Sequence, residues 1–209
     1  MSGACCESNG AATLEQVRLK DGASTRLHVA LAGQPNVGKS TVFNALTGLN
    51  QHVGNWPGKT VEQKIGVHRR GEVTLDLVDL PGTYSLTANS PEELIARDYL
   101  LTQRPDVVIA VVDAAILERS LYLVAELVQL GLPLVVGLNM LDVATRHGTR
   151  IDTRQLSATL GVPVIELVAA KNAGLDQLIE TAIETAGRQT LSIGLPRLPE
   201  KIETLVDEV

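Results

Sequence analysis

Short apolar runs alternate with longer segments in which apolar residues recur every three or four positions. "RLHVALAG" (26–33) reads as a strand and "KSTVFNALTG" (39–48) as a helix. "EQKIGVHRR" and "EVTLDLVDL" read as two strands joined at Gly71, which suits a hairpin. "SPEELIARDYLL" opens with Ser90, Pro91 at the first helical position and Glu93 three residues after the cap, the signature of a helix start. A strand follows in "DVVIAVVDA", and then a helix in "ERSLYLVAELVQLG", closed by Gly131. "PLVVGLNM" is a strand, "DTRQLSATLG" a helix between Asp152 and Gly161, "VPVIELVA" a strand and "GLDQLIETAIETAG" a last helix. This alternation predicts an α/β domain: six strands in a mostly parallel sheet with helices on both faces, the second and third strands forming its one antiparallel pair.

The two ends differ from this pattern. Residues 1–25 are polar and read as an extension of the 26–187 domain. Residues 188–209 pass from a turn-rich stretch into "EKIETLVDEV", which places Ile202, Leu205, Val206 and Val209 on one helical face. Such a stripe needs a cover, either this domain or further helical chain. Composition narrows the class. Hydrophobic residues make up 44% of the 209 but aromatic ones only 2%, so the core is aliphatic, as buried parallel strands require. A net charge of −6 argues against nucleic acid as a partner. The only cysteines, Cys5 and Cys6, are neighbours and cannot staple a fold, which predicts a reduced, intracellular chain. The start lacks the pattern of a signal peptide, and no apolar stretch reaches the ~18 residues of a membrane span, so this chain is expected to be soluble.

The chemistry begins at "GQPNVGKST". Gly33, Gln34, Pro35, Asn36, Val37, Gly38, Lys39 and Ser40 fit G-x-x-x-x-G-K-[ST], between a strand and a helix that also carries Thr41. Glycines let backbone N–H groups close around a phosphate, and the helix start adds free N–H groups and its positive dipole end. Lys39 supplies a point charge for the β- and γ-phosphates, and Ser40 a hydroxyl for Mg²⁺. About 40 residues further on, "DLPG" (Asp79, Leu80, Pro81, Gly82) ends another strand: Asp79 suits Mg²⁺, and the Gly82 N–H suits a γ-phosphate. In "NMLD" (Asn139, Met140, Leu141, Asp142) the carboxylate of Asp142 can accept from guanine N1–H and N2, a donor pair adenine lacks, so the nucleotide is GTP or GDP. "VAAK", from Val168 to Lys171, is a weaker fourth part, where the N–H groups of Ala169 and Ala170 lie in reach of guanine O6.

These motifs, in this order, resemble the Ras-type P-loop GTPases. "VGNWPGKTVE", "DLPGTYSL" and "NMLD" narrow the resemblance to the G domain of the bacterial ferrous iron transport protein B family, over about residues 27–187. The resemblance implies a regulatory GTPase of a ferrous iron uptake system, at the cytoplasmic side of the inner membrane and coupled to downstream helical and membrane regions. It leaves self-association open. It assigns Gly58, Lys59, Thr60, Val61 and Glu62 to a switch segment in which the Thr60 hydroxyl joins Mg²⁺. Related GTPases with asparagine at the position of Asn36 use K⁺ as activator; Gly54 and Trp56 carbonyls would be further ligands, so Lys39, Thr60, Gly82 and Asn36 form the catalytic set. Trp56, among Asn55, Pro57 and Gly58, is expected to be exposed or to move with the nucleotide. Many GTPases carry glutamine after DxxG to orient water. Thr83 stands here, followed by Tyr84, which predicts slow hydrolysis, near the ~10⁻⁴–10⁻³ s⁻¹ of unassisted chemistry. Two other readings remain: a nucleotide-sensing switch with negligible turnover, and a soluble ribosome- or tRNA-associated GTPase. His28, His52, His68 and His147 lack metal-ligand spacing, Asp113 ends a strand, and Glu118 and Arg119 are expected on a solvated helix face.

Overall fold

The computed structural model describes residues 25–48 and 50–188. Cys5, Cys6 and the 188–209 stripe of Ile202, Leu205, Val206 and Val209 lie outside the described residues, apart from Arg188. The elements, in chain order, are β1 (Thr25–Gly33), α1 (Lys39–Thr47), β2 (Gln51–Asn55), β3 (Glu62–Arg70), β4 (Val73–Asp79), α2 (Pro91–Gln103), β5 (Val107–Asp113), α3 (Leu117–Gln129), β6 (Leu134–Asn139), α4 (Leu141–Arg146), α5 (Thr153–Leu160), β7 (Val164–Glu166) and α6 (Leu175–Arg188). Single 3₁₀ turns at Ala114–Ile116 and Ala169–Lys171 lead into α3 and precede α6.

The sheet has seven strands, in the order β2-β3-β4-β1-β5-β6-β7. β4, β1, β5, β6 and β7 run parallel, whereas β3 is antiparallel to both β2 and β4. The expected six strands with one antiparallel pair are therefore corrected to seven with two. The added strand, "QHVGN", has no apolar alternation; pairing with β3 along the sheet edge makes it a strand.

The central strands are apolar on both faces, as a doubly covered parallel sheet demands: Val107 to Val112 of β5 are all buried. On one face Ala30, Val78, Val108, Ala110 and Val136 meet Ile95 and Leu100 of α2 and Leu123 and Leu127 of α3. On the other, Leu31, Leu75, Leu77, Ile109 and Val135 meet Phe43 and Leu46 of α1 and Leu178 and Ile179 of α6. Gly66 of β3 lets α1 lie directly on the sheet, since a Cβ there would stand 2.4 Å from Thr47 Cγ2 and 3.1 Å from Phe43 Cζ. The connection after β1 leads towards β4, and that after β5 towards β6, so the chain reverses direction across the sheet between β1 and β5. The carboxyl ends of strands at such a switch point form a crevice for ligands.

At the opposite end of the sheet, Asp76 of β4 accepts two hydrogen bonds from the Arg26 guanidinium of β1, at 2.5 and 2.9 Å. Hydrogen bonding to Arg26 holds the Asp76 carboxyl below its ordinary 3.8. A lowered carboxyl pKa contributes stability that is complete above 3.8 and is lost as pH falls through the lower folded value. Asp76→Asn is therefore expected to lower the melting temperature at neutral pH, with the gap from the parent closing as pH drops below 3.8; melting curves between pH 3 and 7 check this.

Candidate nucleotide site

The loop from Gly33 to Lys39 is shaped by close backbone approaches. A Cβ on Gly33 would lie 2.6 Å from the Val111 carbonyl oxygen of β5. Gly38 has φ +87°, and a Cβ there would meet Asn139 Nδ2 at 2.3 Å. Asn36 also takes the left-handed region, φ 67°, which asparagine tolerates better than most residues. α1 starts at Lys39 without a side-chain cap, and its first intrahelical bond at this end runs from the Val42 N–H to the Gly38 carbonyl, at 3.0 Å. The N–H groups of that first turn have no intrahelical acceptor and sit at the positive end of the helix dipole, which makes the loop a receptor for anions.

Lys39 and Asp79 are both buried and form an ion pair, and the ammonium also donates to the Leu80 carbonyl at 2.6 Å. The DLPG segment is tied to the loop through its backbone: Leu80 N–H donates to the Leu31 carbonyl at 3.0 Å, and Thr83 N–H to that of Gly33 at 3.2 Å. A Cβ on Gly82 would stand 3.2 Å from Pro35, so only glycine passes this close to the loop without displacing it.

Asn139 joins the other two segments. Its buried amide donates to the Val37 carbonyl at 3.0 Å and accepts the Ala169 N–H at 3.0 Å. One side chain thus fixes the glycine-rich loop and the 168–171 turn relative to β6. The Ala169 N–H is consequently engaged within the protein rather than offered to a base, which corrects the expected guanine O6 contact for Ala169 and leaves it to Ala170. Val168 N–H is likewise bonded to the Ala173 carbonyl at 3.1 Å. Met140 has φ 61° and caps α4, which places Asp142 in the first turn of that helix. The Asp142 carboxylate, one-third exposed, lies 3.7 Å from Lys171 Nζ and 3.8 Å from Arg146 Nη2.

The Gly54–Glu62 segment is arranged differently from expectation. Gly54 belongs to β2 opposite Gln63, and Trp56 is only 7% exposed, with its ring edge-on to Tyr99 at 5.5 Å. A turn puts it there: Trp56 N–H bonds the Val61 carbonyl and Lys59 N–H the Trp56 carbonyl, both at 2.9 Å, around Gly58 at φ 68°. The expected exposure of Trp56 is thereby corrected, because burying an indole against Tyr99 outweighs the polar character of its neighbours. The indole Nε1 is buried without a hydrogen-bond partner among the described residues, and burial pushes the Tyr99 phenol pKa up. Thr60 is exposed in the turn, as are Pro57, Gly58 and Lys59; Ser40 and Thr41 are exposed on the first turn of α1.

Several side chains that hold the site carry no motif. Gln34 Nε2 donates to the Arg119 carbonyl of α3 at 2.6 Å. Arg119 is exposed in the first turn of α3, as expected, and its guanidinium lies 4.3 Å above the exposed Tyr84 ring. Glu93 accepts from Asn89 N–H at 2.9 Å and Ser85 Oγ at 3.1 Å, and Ser90 Oγ caps α2 by accepting Glu93 N–H at 3.1 Å. Glu126 accepts Leu86 N–H at 2.7 Å; burial raises its pKa, opposed by that hydrogen bond and reinforced by nearby Glu93. Of these, only the Ser90–Glu93 cap is legible in sequence spacing.

Residues 27–182 match the family profile described as ferrous iron transport protein B. The Fe(2+) transporter FeoB of Legionella pneumophila (strain Paris) is 48% identical over 160 residues, which cover 75% of this chain and 21% of that protein. The chain thus spans about a fifth of the length of this curated relative. Among solved structures, the G domain of the T. maritima FeoB iron transporter aligns with TM-score 0.72 at 45% identity, covering 77% of this chain and 99% of that one. A mutant of S. thermophilus NFeoB bound to GDP aligns with TM-score 0.74 at 42% identity, covering 87% and 70% respectively. The fold is that of the Ras-like P-loop GTPases.

Asn139→Ala removes the acceptor for Ala169 N–H and the donor for Val37 together. At roughly 1–3 kcal/mol for each of the two orphaned buried groups, the variant is expected to lose about 2–6 kcal/mol in urea unfolding.

Proposed function

The chain belongs to the ferrous iron transport protein B family, its described residues are a G domain of that family, and from that premise we propose that this domain binds GTP and GDP and hydrolyses GTP slowly. Its role is to report nucleotide state to downstream helical and membrane regions of a ferrous iron uptake system, at the cytoplasmic side of the bacterial inner membrane. No helix among the described residues is long and apolar enough to cross a membrane. The observation that carries this reading is the meeting of Lys39 and Asp79 at the glycine-rich loop, with Asn139 tying that loop to the base-side segments. The GDP-bound state of the S. thermophilus relative agrees with it.

In this reading the first-turn amides of α1 and the Lys39 ammonium bind the phosphates, and Lys39 exchanges Asp79 for phosphate oxygens. The donor set suits Mg²⁺, a hard cation that takes oxygen ligands: the Ser40 hydroxyl is exposed beside Lys39, and the Asp79 carboxylate reaches the same ammonium. Ser40, Asp79 and, once its turn rearranges, Thr60 would hold the ion, which supplies neutralisation of phosphate charge. Asn36, with Gly54 and Trp56 carbonyls, would hold K⁺, which supplies positive charge where an arginine finger would otherwise act. Gly82 N–H is the donor for the γ-phosphate, and Asp142, flanked by Lys171, accepts from the guanine edge.

Thr83 is buried and its N–H is bonded to the Gly33 carbonyl, so the position after DxxG offers no free group to orient water. That observation supports slow turnover and keeps the alternative of a sensing switch with negligible hydrolysis in view. GTP turnover in KCl against NaCl distinguishes them. The parent is expected to be faster in KCl and Asn36→Ala to lose the difference, whereas equal, negligible rates in both salts would favour the switch. In the same assays Asp142→Ala is expected to lose the preference for guanine over adenine nucleotides; an unchanged preference would refute the base assignment.

A further inference from the structure

The contacts around Gly33 close a ring. The Gly33 carbonyl accepts the Thr83 N–H at 3.2 Å. The next residue, Tyr84, lies under the Arg119 guanidinium at 4.3 Å. The Arg119 carbonyl accepts the Gln34 side-chain amide at 2.6 Å, and Gln34 is bonded to Gly33. Gln34 is buried, its Oε1 without a partner among the described residues, so this amide serves to anchor α3 rather than to face solvent. Two helical turns along α3, Glu126 accepts the Leu86 N–H at 2.7 Å. Residues 119 and 126 lie on one helical face, and between them they hold both ends of the Tyr84–Leu86 stretch.

We propose that Arg119 is a positioning residue for GTP hydrolysis: by stacking on Tyr84 it adds to the Leu80 and Thr83 backbone bonds and steadies the DxxG loop, and with it the Gly82 N–H, against the glycine-rich loop. This deepens the GTPase reading and rests on it. With the Thr83 side chain turned inward, the backbone of this loop is what remains to meet the reacting phosphate. Backbone bonds from Leu80 to Leu31 and from Thr83 to Gly33 fix the loop's position, and the Arg119–Tyr84 contact, the one link of the ring made by exposed side chains, limits how far the chain after Thr83 can swing away. Arg119 keeps its carbonyl bond to Gln34 in any substitution, so a side-chain change opens the ring without unfastening α3 from the loop.

The test is a double-mutant cycle on single-turnover hydrolysis at saturating GTP, with GDP affinity and melting temperature measured alongside. Arg119→Ala and Tyr84→Ala are each expected to slow hydrolysis about two- to fivefold, the size of an exposed cation–π contact. Arg119→Ala/Tyr84→Ala should be no slower than either single variant, GDP affinity should stay at the parent value, and the melting temperature should fall by no more than about 2–4 °C. Tyr84→Phe keeps the ring face and is expected to recover the parent rate, and Arg119→Lys to recover part of it. Parent-like hydrolysis in Arg119→Ala, or additive losses in the double variant, would overturn the proposal while leaving the GTPase reading intact. A parent protein that neither binds nor hydrolyses GTP would overturn that reading itself.

Discussion

A lysine ammonium that is nine-tenths buried cannot stand without an anion, and this requirement organises the site. Lys39 meets it with the equally buried Asp79 and with the Leu80 carbonyl. Breaking such a pair from one side leaves a charge in a poor medium, at a cost of several kcal/mol. A phosphate group can take the place of Asp79 because it carries more negative charge and because the amides at the start of α1 are already aimed at it. The carboxylate set free is then available to a divalent cation. Ion pairing in the protein and nucleotide binding are thus alternative solutions to one electrostatic problem.

The rest of the site divides by how firmly it is held. The glycine-rich loop, the DLPG segment and the turn at 168–171 are joined by short backbone bonds and by the buried amide of Asn139. β2 and the turn from Trp56 to Val61 rest instead on edge pairing with β3 and on one indole, whose Nε1 is buried without a partner among the described residues. An unsatisfied buried donor lowers the preference for the state that buries it. Trp56 therefore couples the position of Thr60 to core packing at Tyr99, and the β2 edge with its turn is the part of the site best suited to change with the nucleotide.

Much of this was legible in the sequence because local rules and tertiary demands agree there. The apolar runs of β1, β5 and β6 admit only buried strands, and Gly33 and Gly38 stand where a Cβ would strike Val111 or Asn139. Ser90, Asp152 and Gly161 mark helix ends as their chemistry requires. Reading failed where tertiary contact overrides local character. "QHVGN" becomes a strand only because β3 offers it an edge, and Trp56 is buried although its neighbours are polar or turn-forming. Asn139, read only as part of the NMLD motif, proves to join two segments through its amide. Gln34, Arg119 and Glu126 acquire roles from partners 85, 35 and 40 residues away, which no spacing rule anticipates.

The most direct measurement is a calorimetric titration of the folded domain with GDP, beside Lys39→Ala. The parent is expected to release heat at a single site. The variant should bind at least about tenfold more weakly, as loss of a charge-assisted contact of roughly 1.5–3 kcal/mol requires. A parent that gives no heat, or a Lys39→Ala variant that binds GDP as tightly as the parent, would contradict the account.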